Sequence, residues 1–259
     1  MTPAFRANPE LIRCPGHAGS GVAHLHIGAA ALTPDPEVDV AHAGDSSAVQ
    51  PAGHTMAFVI PAIILAAGKS TRMGRLKASL PLSDSETFLT QIVRTFHAAG
   101  VDDVTVVLGH EAERLRQDLS NAGLQPGVVV NEQFEAGQFS SLLTGLDAVD
   151  GPEVEAVLLM LVDAPLVSAT TVRAVIARYE ATRAPIVRPV RGTAHGHPVL
   201  IDRSLFGALR AASPASGAKP IVRAHVSAAG DVPVDDDGAF MDIDTPEDYA
   251  RAVGQGSSS

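Results

Sequence analysis

From residue 62 onward, short apolar runs alternate with amphipathic stretches. Residues 62–65 form an apolar run that reads as a strand. Phe88, Leu89, Ile92, Val93 and Phe96 recur at helical spacing, and Gly100 closes that helix. Residues 104–108 are largely β-branched and read as a second strand. A helix over 111–121, ended by Gly123, and a strand over 128–130 follow. Residues 140–149 read as a helix with Leu142, Leu143 and Leu146 on one face. The continuous apolar run 157–162 suits a central strand buried on both faces. Ser168 is placed to cap a helix running through Tyr179. Strands are expected over 186–188 and 198–201, a short helix over 204–211 and a last strand over 239–243. Thr245-Pro246-Glu247-Asp248 opens a final helix: Thr245 suits the N-cap, Pro246 the first helical position, and Asp248 completes a capping-box-like pattern.

Strands alternating with helices predict a single α/β domain, Rossmann-like and doubly wound, with a mainly parallel sheet covered on both faces. In such sheets ligands bind beyond the carboxyl ends of the strands. The loops after Leu65 and Val162 should therefore meet. The domain is expected to span residues 56–253. Residues 1–55 are rich in Ala, Gly, Pro and His and lack either period, so they read as a disordered N-terminal extension. Met56, just ahead of the first strand, is a candidate start. Residues 254–259, rich in Gly and Ser, read as a flexible tail.

Composition narrows the partners. The 259 residues carry a formal net charge of −10, which argues against nucleic acid or an anionic membrane surface. No apolar stretch approaches the ~20 residues of a membrane span, and no basic-then-apolar leader is read at the N-terminus, so the cytoplasm is the expected location. The single cysteine, Cys14, excludes an intramolecular disulfide and a cysteine-rich metal site. His17, His24, His26, His42 and His54 show no recurring ligand spacing and read as part of a polar tail.

The chemistry concentrates where the first strand ends, at Leu65-Ala66-Ala67-Gly68-Lys69-Ser70-Thr71-Arg72-Met73-Gly74-Arg75-Leu76-Lys77. A buried strand, a turn rich in small residues and four cations (Lys69, Arg72, Arg75, Lys77) suit a polyphosphate. It is not a Walker loop, because Ile63 stands where the first glycine is needed. It is not a dinucleotide fingerprint either, because the next glycine after Gly68 is Gly74.

The stretch does resemble the signature L-A-A-G-x-S-x-R-M-G-x-x-K of the molybdenum-cofactor nucleotidyltransferases, the MobA-like NTP transferases. These are a branch of the nucleotide-diphospho-sugar transferase superfamily. Leu65, Ala66, Ala67, Gly68, Ser70, Arg72, Met73, Gly74 and Lys77 match, and Leu80-Pro81-Leu82 follows as it does there. The resemblance extends to about residue 253. It implies a second nucleotide-contacting segment at Val130-Asn131, Gly137, Gln138, Ser140 and Ser141, and a D-x-P metal motif at Asp163-Ala164-Pro165. It further implies an acceptor-side strand at Gly196-His197-Pro198 and a closing D-I-D-T-P-E-D segment from Asp242. Gly217-Ala218-Lys219-Pro220 departs from that pattern: Ser216 stands for an aspartate and Lys219 for an arginine, and a lysine lacks the bidentate fork. Ser79 stands where a leucine is common.

Physical chemistry supports several of these roles. A carboxylate following an apolar strand, as Asp163 does, is costly to bury unless it meets a cation. Asp242 and Asp244, two apart on the expected strand, would share a side. Three carboxylates without cysteine suit Mg²⁺ held jointly with phosphate oxygens. Asp163 with one or both of Asp242 and Asp244 is the expected metal set. Arg72 is the fork for β- and γ-phosphate oxygens, and Lys77 a point charge near the α-phosphate. Lys69 and Arg75 fall at variable positions of the signature and are weaker candidates. Ser140 and Ser141 serve either the nucleotide or the helix start. His197 and Lys219 are the acceptor-side candidates, and an H-x-H metal pair with His195 is disfavoured against a turn beside Pro198.

The resemblance implies transfer of a nucleoside monophosphate to a phosphorylated acceptor with release of pyrophosphate. The Ala66-Ala67-Gly68 form is closer to the cytidylyltransferase branch than to the guanylyltransferase branch. That implies CTP as donor, molybdopterin carrying molybdenum as acceptor, and a molybdenum hydroxylase as the eventual client. GTP, or a sugar- or polyol-phosphate acceptor, is the alternative within the same chemistry. A non-catalytic nucleotide or cofactor carrier is the alternative outside it.

Overall fold

The computed structural model describes residues 59–70 and 73–255, with side chains as far as residue 253. The expected extension 1–55 lies outside them, as do Thr71 and Arg72. The strands are β1 (Ala62–Leu65), β2 (Val104–Leu108), β3 (Gly127–Val130), β4 (Ala156–Leu161), β5 (Ile186–Arg191), β6 (Ala194–His195), β7 (Val199–Asp202) and β8 (Asp231–Pro233). The helices are α1 (Phe88–Ala98), α2 (Ala112–Asn121), α3 (Gln138–Val149), α4 (Ala169–Thr182), α5 (Phe206–Ala211), α6 (Lys219–His225) and α7 (Pro246–Gln255).

One sheet runs in the order β3-β2-β1-β4-β7-β5-β6, with β8 beside β5. The four strands from β3 to β4 are parallel, as expected for an α/β domain. Beyond them β7 pairs antiparallel with β4, and β5 antiparallel with β7. The fold is a Rossmann-like, mainly parallel sheet whose second half turns antiparallel. Among the described residues no helix is long and apolar enough to cross a membrane.

Alternation along β1 divides the core in two. Ala62 and Ile64 pack with Leu89, Ile92 and Phe96 of α1, Leu115 of α2 and Val175 of α4. Ile63 and Leu65 pack on the other face with Leu142 and Leu146 of α3 and Phe206 and Leu209 of α5. Burying one such side chain contributes about 1.5–3 kcal/mol, which is why β1 and β4 show no polar positions. Helix starts follow local chemistry. Thr87 and Thr90 form a reciprocal cap on α1, and Ser168 accepts from the Thr171 N–H at α4. At α7 Thr245 Oγ1 accepts from the Asp248 N–H at 3.2 Å while Asp248 Oδ2 accepts from the Thr245 N–H at 3.0 Å.

The expected strand over 239–243 does not form. Residues Asp237–Phe240 make a 3-10 turn, and 241–244 follow without regular structure. The cause is a close approach of backbone to backbone: a Cβ on Gly238 would lie 2.0 Å from the Leu166 carbonyl oxygen. Asp236 fixes that turn by accepting from the Gly238 N–H at 3.1 Å and from Ser168 Oγ at 2.8 Å. The strand of this region is instead the short β8, paired parallel with β5. The hairpin strand β6 and the helix α6 are likewise absent from the sequence reading. The last helix continues to Gln255, two residues past the expected end of the domain.

Gly145 lets α3 lie close on the sheet: a Cβ there would stand 2.5 Å from Ile63 Cγ2 and 2.8 Å from Val107 Cγ2. Gly145→Ala should therefore destabilise the domain by about 1–3 kcal/mol through overpacking. Thermal unfolding of the two proteins checks this; an unchanged melting temperature would show that the face is looser than the contact implies.

Candidate active site

The first strand ends in a loop that folds back on one hydroxyl. Leu65, Ala66 and Ala67 are buried, and the Ala66 N–H donates to the Val107 carbonyl at 2.9 Å while the Ala67 carbonyl accepts from the His110 N–H at 3.1 Å. Gly68 and Lys69 then emerge into solvent. Ser70 adopts φ 53°, in the left-handed region that costs a side chain on the order of 1 kcal/mol. In that conformation its Oγ accepts from the Lys77 N–H at 3.1 Å and its carbonyl from the Met73 N–H at 3.0 Å. The loop is thereby closed across 70–77. Arg72, its expected phosphate fork, falls outside the described residues.

Lys77 opens the 3-10 turn Lys77–Ser79 and points inward; its side chain is only 9% exposed. Its ammonium contacts the Asp244 carboxylate and stands 3.9 Å from Asp163 Oδ2. Asp163 follows β4, in the position the sequence indicates. Its Oδ1 is buried without a hydrogen-bond partner. Burial pushes the Asp163 carboxyl up to about 6; Lys77 opposes that rise, and the charges of Asp242 and Asp244 add to it. The Asp163 carbonyl accepts from the Ile243 N–H at 2.8 Å. This bond ties the irregular segment 241–244 to the end of β4, with Asp242 and Asp244 flanking the anchored residue. The two aspartates thus reach Asp163 from a loop, not from the expected strand. Among the described residues no three His, Cys, Asp or Glu side chains stand as a ready-made metal cage; the Lys77 ammonium bridges two of the expected ligands instead.

The second expected segment is organised by Asn131, a buried residue. Its Nδ2 donates to Ser140 Oγ at 2.9 Å and Ser141 Oγ at 3.0 Å, and its Oδ1 accepts from the Gln133 N–H at 2.9 Å. Ser140 Oγ donates to the Gly137 carbonyl at 2.7 Å. Neither serine caps α3, whose N-cap is Gly137 at φ 104°. Gln138 is exposed on the first turn.

Lys69 reaches across to this segment, paired with Glu135 and 5.7 Å from the Phe134 ring centroid. Lys69 and Arg75 line a polar cleft of about 290 Å³ together with Ser79, His110, Glu111 and Arg114. His110 and Arg114 were not signalled by the sequence: they come from the β2–α2 connection and the first turn of α2, which only the sheet order brings beside the first loop. Glu111 pairs with Arg114 at 3.0 Å and lies 3.6 Å from His110.

On the acceptor side His197 is half-buried, with Nδ1 lacking a hydrogen-bond partner. Burial holds its pKa below the usual histidine value, with Asp242 opposing. Its N–H donates to the Ala239 carbonyl at 2.9 Å, so His197 and the Asp242 segment share one wall. Lys219 is exposed at the start of α6 and makes no ion pair among the described residues.

A sheet that is parallel around β1 and β4, a cationic loop at β1 and a cation-poor carboxylate at β4 define a nucleotidyltransferase-type site. The sequence profile of the MobA-like NTP transferase domain matches residues 62–229, and the chain belongs to that family. It is 30% identical to nicotine blue oxidoreductase of Paenarthrobacter nicotinovorans over 203 residues, 75% of this chain and 96% of that protein. It is 37% identical to the bifunctional protein GlmU of Geobacter sulfurreducens over 128 residues, 48% of this chain; the chain spans only 26% of that relative's length. Among solved structures, Rv0371c of Mycobacterium tuberculosis H37Rv superposes with a TM-score of 0.64 at 31% identity, over 76% of this chain and 99% of that one. The same protein is known as a complex with manganese (TM-score 0.61, 30% identity, 76% and 99% covered).

The Asp163 environment has a consequence for stability in chelated, metal-free solution. The native carboxyl holds its proton up to about pH 6, whereas the unfolded one releases it near 3.8. The fold therefore loses stability as pH rises from about 4 through 6. Asp163→Asn removes this term, so the variant should match wild type below pH 4 and exceed it above pH 6 by about 3 kcal/mol. Denaturant unfolding at pH 4 and pH 7 tests the sign; a variant less stable than wild type at pH 7 would mean that Lys77 outweighs burial.

Proposed function

We propose that the chain transfers CMP from CTP to a phosphorylated acceptor, molybdopterin carrying molybdenum, and releases pyrophosphate. The observation that carries the reading is Asp163: a half-buried carboxylate with one buried, unpartnered oxygen, at the end of the central strand, beside a lysine from the phosphate loop. The unpartnered Oδ1 and the neighbouring Asp242 and Asp244 fit a hard divalent cation of the Mg²⁺ kind. Asp163 would hold it with one or both of the others. When bound, such an ion supplies charge neutralisation at the transferring phosphate.

The chain's own residues supply position and charge. The loop from Ala66 to Lys77 cradles the triphosphate with its N–H groups, Arg72 forks the β- and γ-phosphate oxygens, and Lys77 offsets charge at the α-phosphate. Asn131 fixes Ser140 and Ser141, so the nucleotide wall formed with Gly137 and Gln138 is rigid before the nucleotide arrives. His197 and Lys219 serve the acceptor phosphate. That phosphate attacks the α-phosphorus in line, a new P–O bond forms, and the bond to the leaving pyrophosphate breaks. A phosphate monoester has its second pKa near ~6 and is already largely dianionic at neutral pH, so no general base is required. Catalysis then rests on positioning and charge.

The name of one full-length relative, an oxidoreductase, supplies a second reading. The failed dinucleotide fingerprint at Gly68 and Gly74 weighs against it.

A screen of CTP, GTP, UTP and ATP against molybdopterin and sugar- or polyol-phosphate acceptors, read by pyrophosphate release, tests the proposal. CTP with molybdopterin should turn over. GTP or UTP without CTP would reject the cytidylyl assignment, and NAD(P)H oxidation without pyrophosphate would reject transfer altogether. Asp163→Ala should lower turnover by at least ~100-fold, and unchanged turnover would return the chain to the carrier class.

A further inference from the structure

We propose that the Lys77 ammonium stands in for the divalent metal in the metal-free chain, so that the metal enters the Asp163 site only together with a triphosphate. The inference rests on the reading of Asp163 as a metal ligand. It goes beyond that reading by giving Lys77 two successive partners and the metal an order of arrival.

The argument begins with charge. Asp242 and Asp244 act on Asp163 at the end of β4, and the Lys77 ammonium stands among them. That ammonium touches Asp244 and faces Asp163 Oδ2, but leaves Asp163 Oδ1 buried and unpartnered. The ammonium therefore leaves one oxygen of Asp163 open to another cation. A metal held by Asp163 and Asp244 would compete with the ammonium for the Asp244 carboxylate and would stand close to it. The two cations repel strongly at such separation, so metal alone must displace the lysine to enter.

A triphosphate offers the ammonium somewhere else to go. Lys77 belongs to the phosphate loop: its N–H is fixed to Ser70 Oγ, and its carbonyl accepts from the Leu80 N–H at 2.9 Å. Its backbone can stay in place while the flexible four-carbon stem changes rotamer from carboxylate to phosphate. An arginine, whose planar fork would lock onto the carboxylates, suits this exchange poorly. Phosphate oxygens would draw the ammonium away from Asp163 and Asp244 and complete the metal's ligand shell in the same event. The metal then behaves as a co-substrate and not as a resident ion.

Manganese binding to the full, metal-free chain tests this without any turnover. Free Mn²⁺ is read by electron paramagnetic resonance in the absence of nucleotide, for wild type, Lys77→Met and Lys77→Gln. Both variants should bind one Mn²⁺ at least about tenfold more tightly than wild type, given the repulsion removed. Asp163→Asn in the Lys77→Met background should abolish the gain. Tight binding by wild type with no gain in either variant would overturn the exchange and leave the Asp163 metal assignment standing. No Mn²⁺ binding by any protein, with Asp163→Asn also silent when CTP is present, would remove the metal assignment and the exchange with it. A second measurement needs no variant to fold: the ¹⁵N-ammonium resonance of Lys77 in wild type should ignore millimolar Mg²⁺ alone and move when CTP is added with Mg²⁺. Movement on Mg²⁺ alone would sink the proposal.

Discussion

The desolvation of one carboxylate governs this site. A parallel sheet covered on both faces needs a central strand of apolar residues, and β4 is one. Whatever polar residue follows that strand is left half-stripped of water at the sheet's carboxyl edge. Asp163 stands there, and burial raises its pKa more than Lys77 lowers it. The chain thus keeps a group whose ionised form is under-compensated, a state that native structures seldom hold without a functional reason. Lys77, the 241–244 segment and the closed loop from Ser70 are all arranged around that deficit.

The two halves of the sheet divide the work. In the parallel half, the loop after β1 carries the cations, and Asn131 stiffens the segment after β3 by engaging Ser140 and Ser141 at once. In the antiparallel half, β7 lies against β4, and the His197 N–H, just ahead of β7, holds the 237–244 segment through the Ala239 carbonyl. An in-line displacement needs nucleophile and leaving group on opposite sides of one phosphorus. On the proposed transfer, the two sheet halves would supply those two sides, with Asp163 at the seam.

Local chemistry made much of this legible in the sequence. The apolar runs of β1, β2 and β4, the Ser168 cap and the Thr245–Asp248 capping box depend on neighbours a few residues away, and each stands where the pattern puts it. What the pattern missed depends on distant backbone. Residues 239–243 carry strand-like composition, but the Gly238 approach to Leu166 bends them into a turn, and no local signal reports a contact across 72 residues. The strands β6 and β8 are too short for a period of two to register. Arg114 and His110 became visible as neighbours of Lys69 and Arg75 only once β2 was placed beside β1. Even the aspartate pair was reached for a reason that does not hold: Asp242 and Asp244 meet Asp163 because Ile243 between them is anchored to it, not because a strand aligns them.

That anchoring explains how an acidic chain can host a polyanion. The formal charge of −10 is spread over the whole sequence, while the loop after β1 brings Lys69 and Arg75 to one cleft, with Arg114 added by the sheet order, and turns Lys77 inward. Glu135 and Glu111 hold two of these cations in place at exposed pairs worth little in stability. Weak pairs of this kind suit a surface that must exchange partners, because an incoming phosphate has only a small interaction to replace. The exception is Lys77, whose side chain is only 9% exposed and whose ammonium contacts a part-buried Asp244. Its release needs an anion of higher charge than a carboxylate, delivered at the same point. Under the proposed exchange, the contrast between exposed outer pairs and the half-buried Lys77 pair orders the events: capture at the rim, then exchange at the centre.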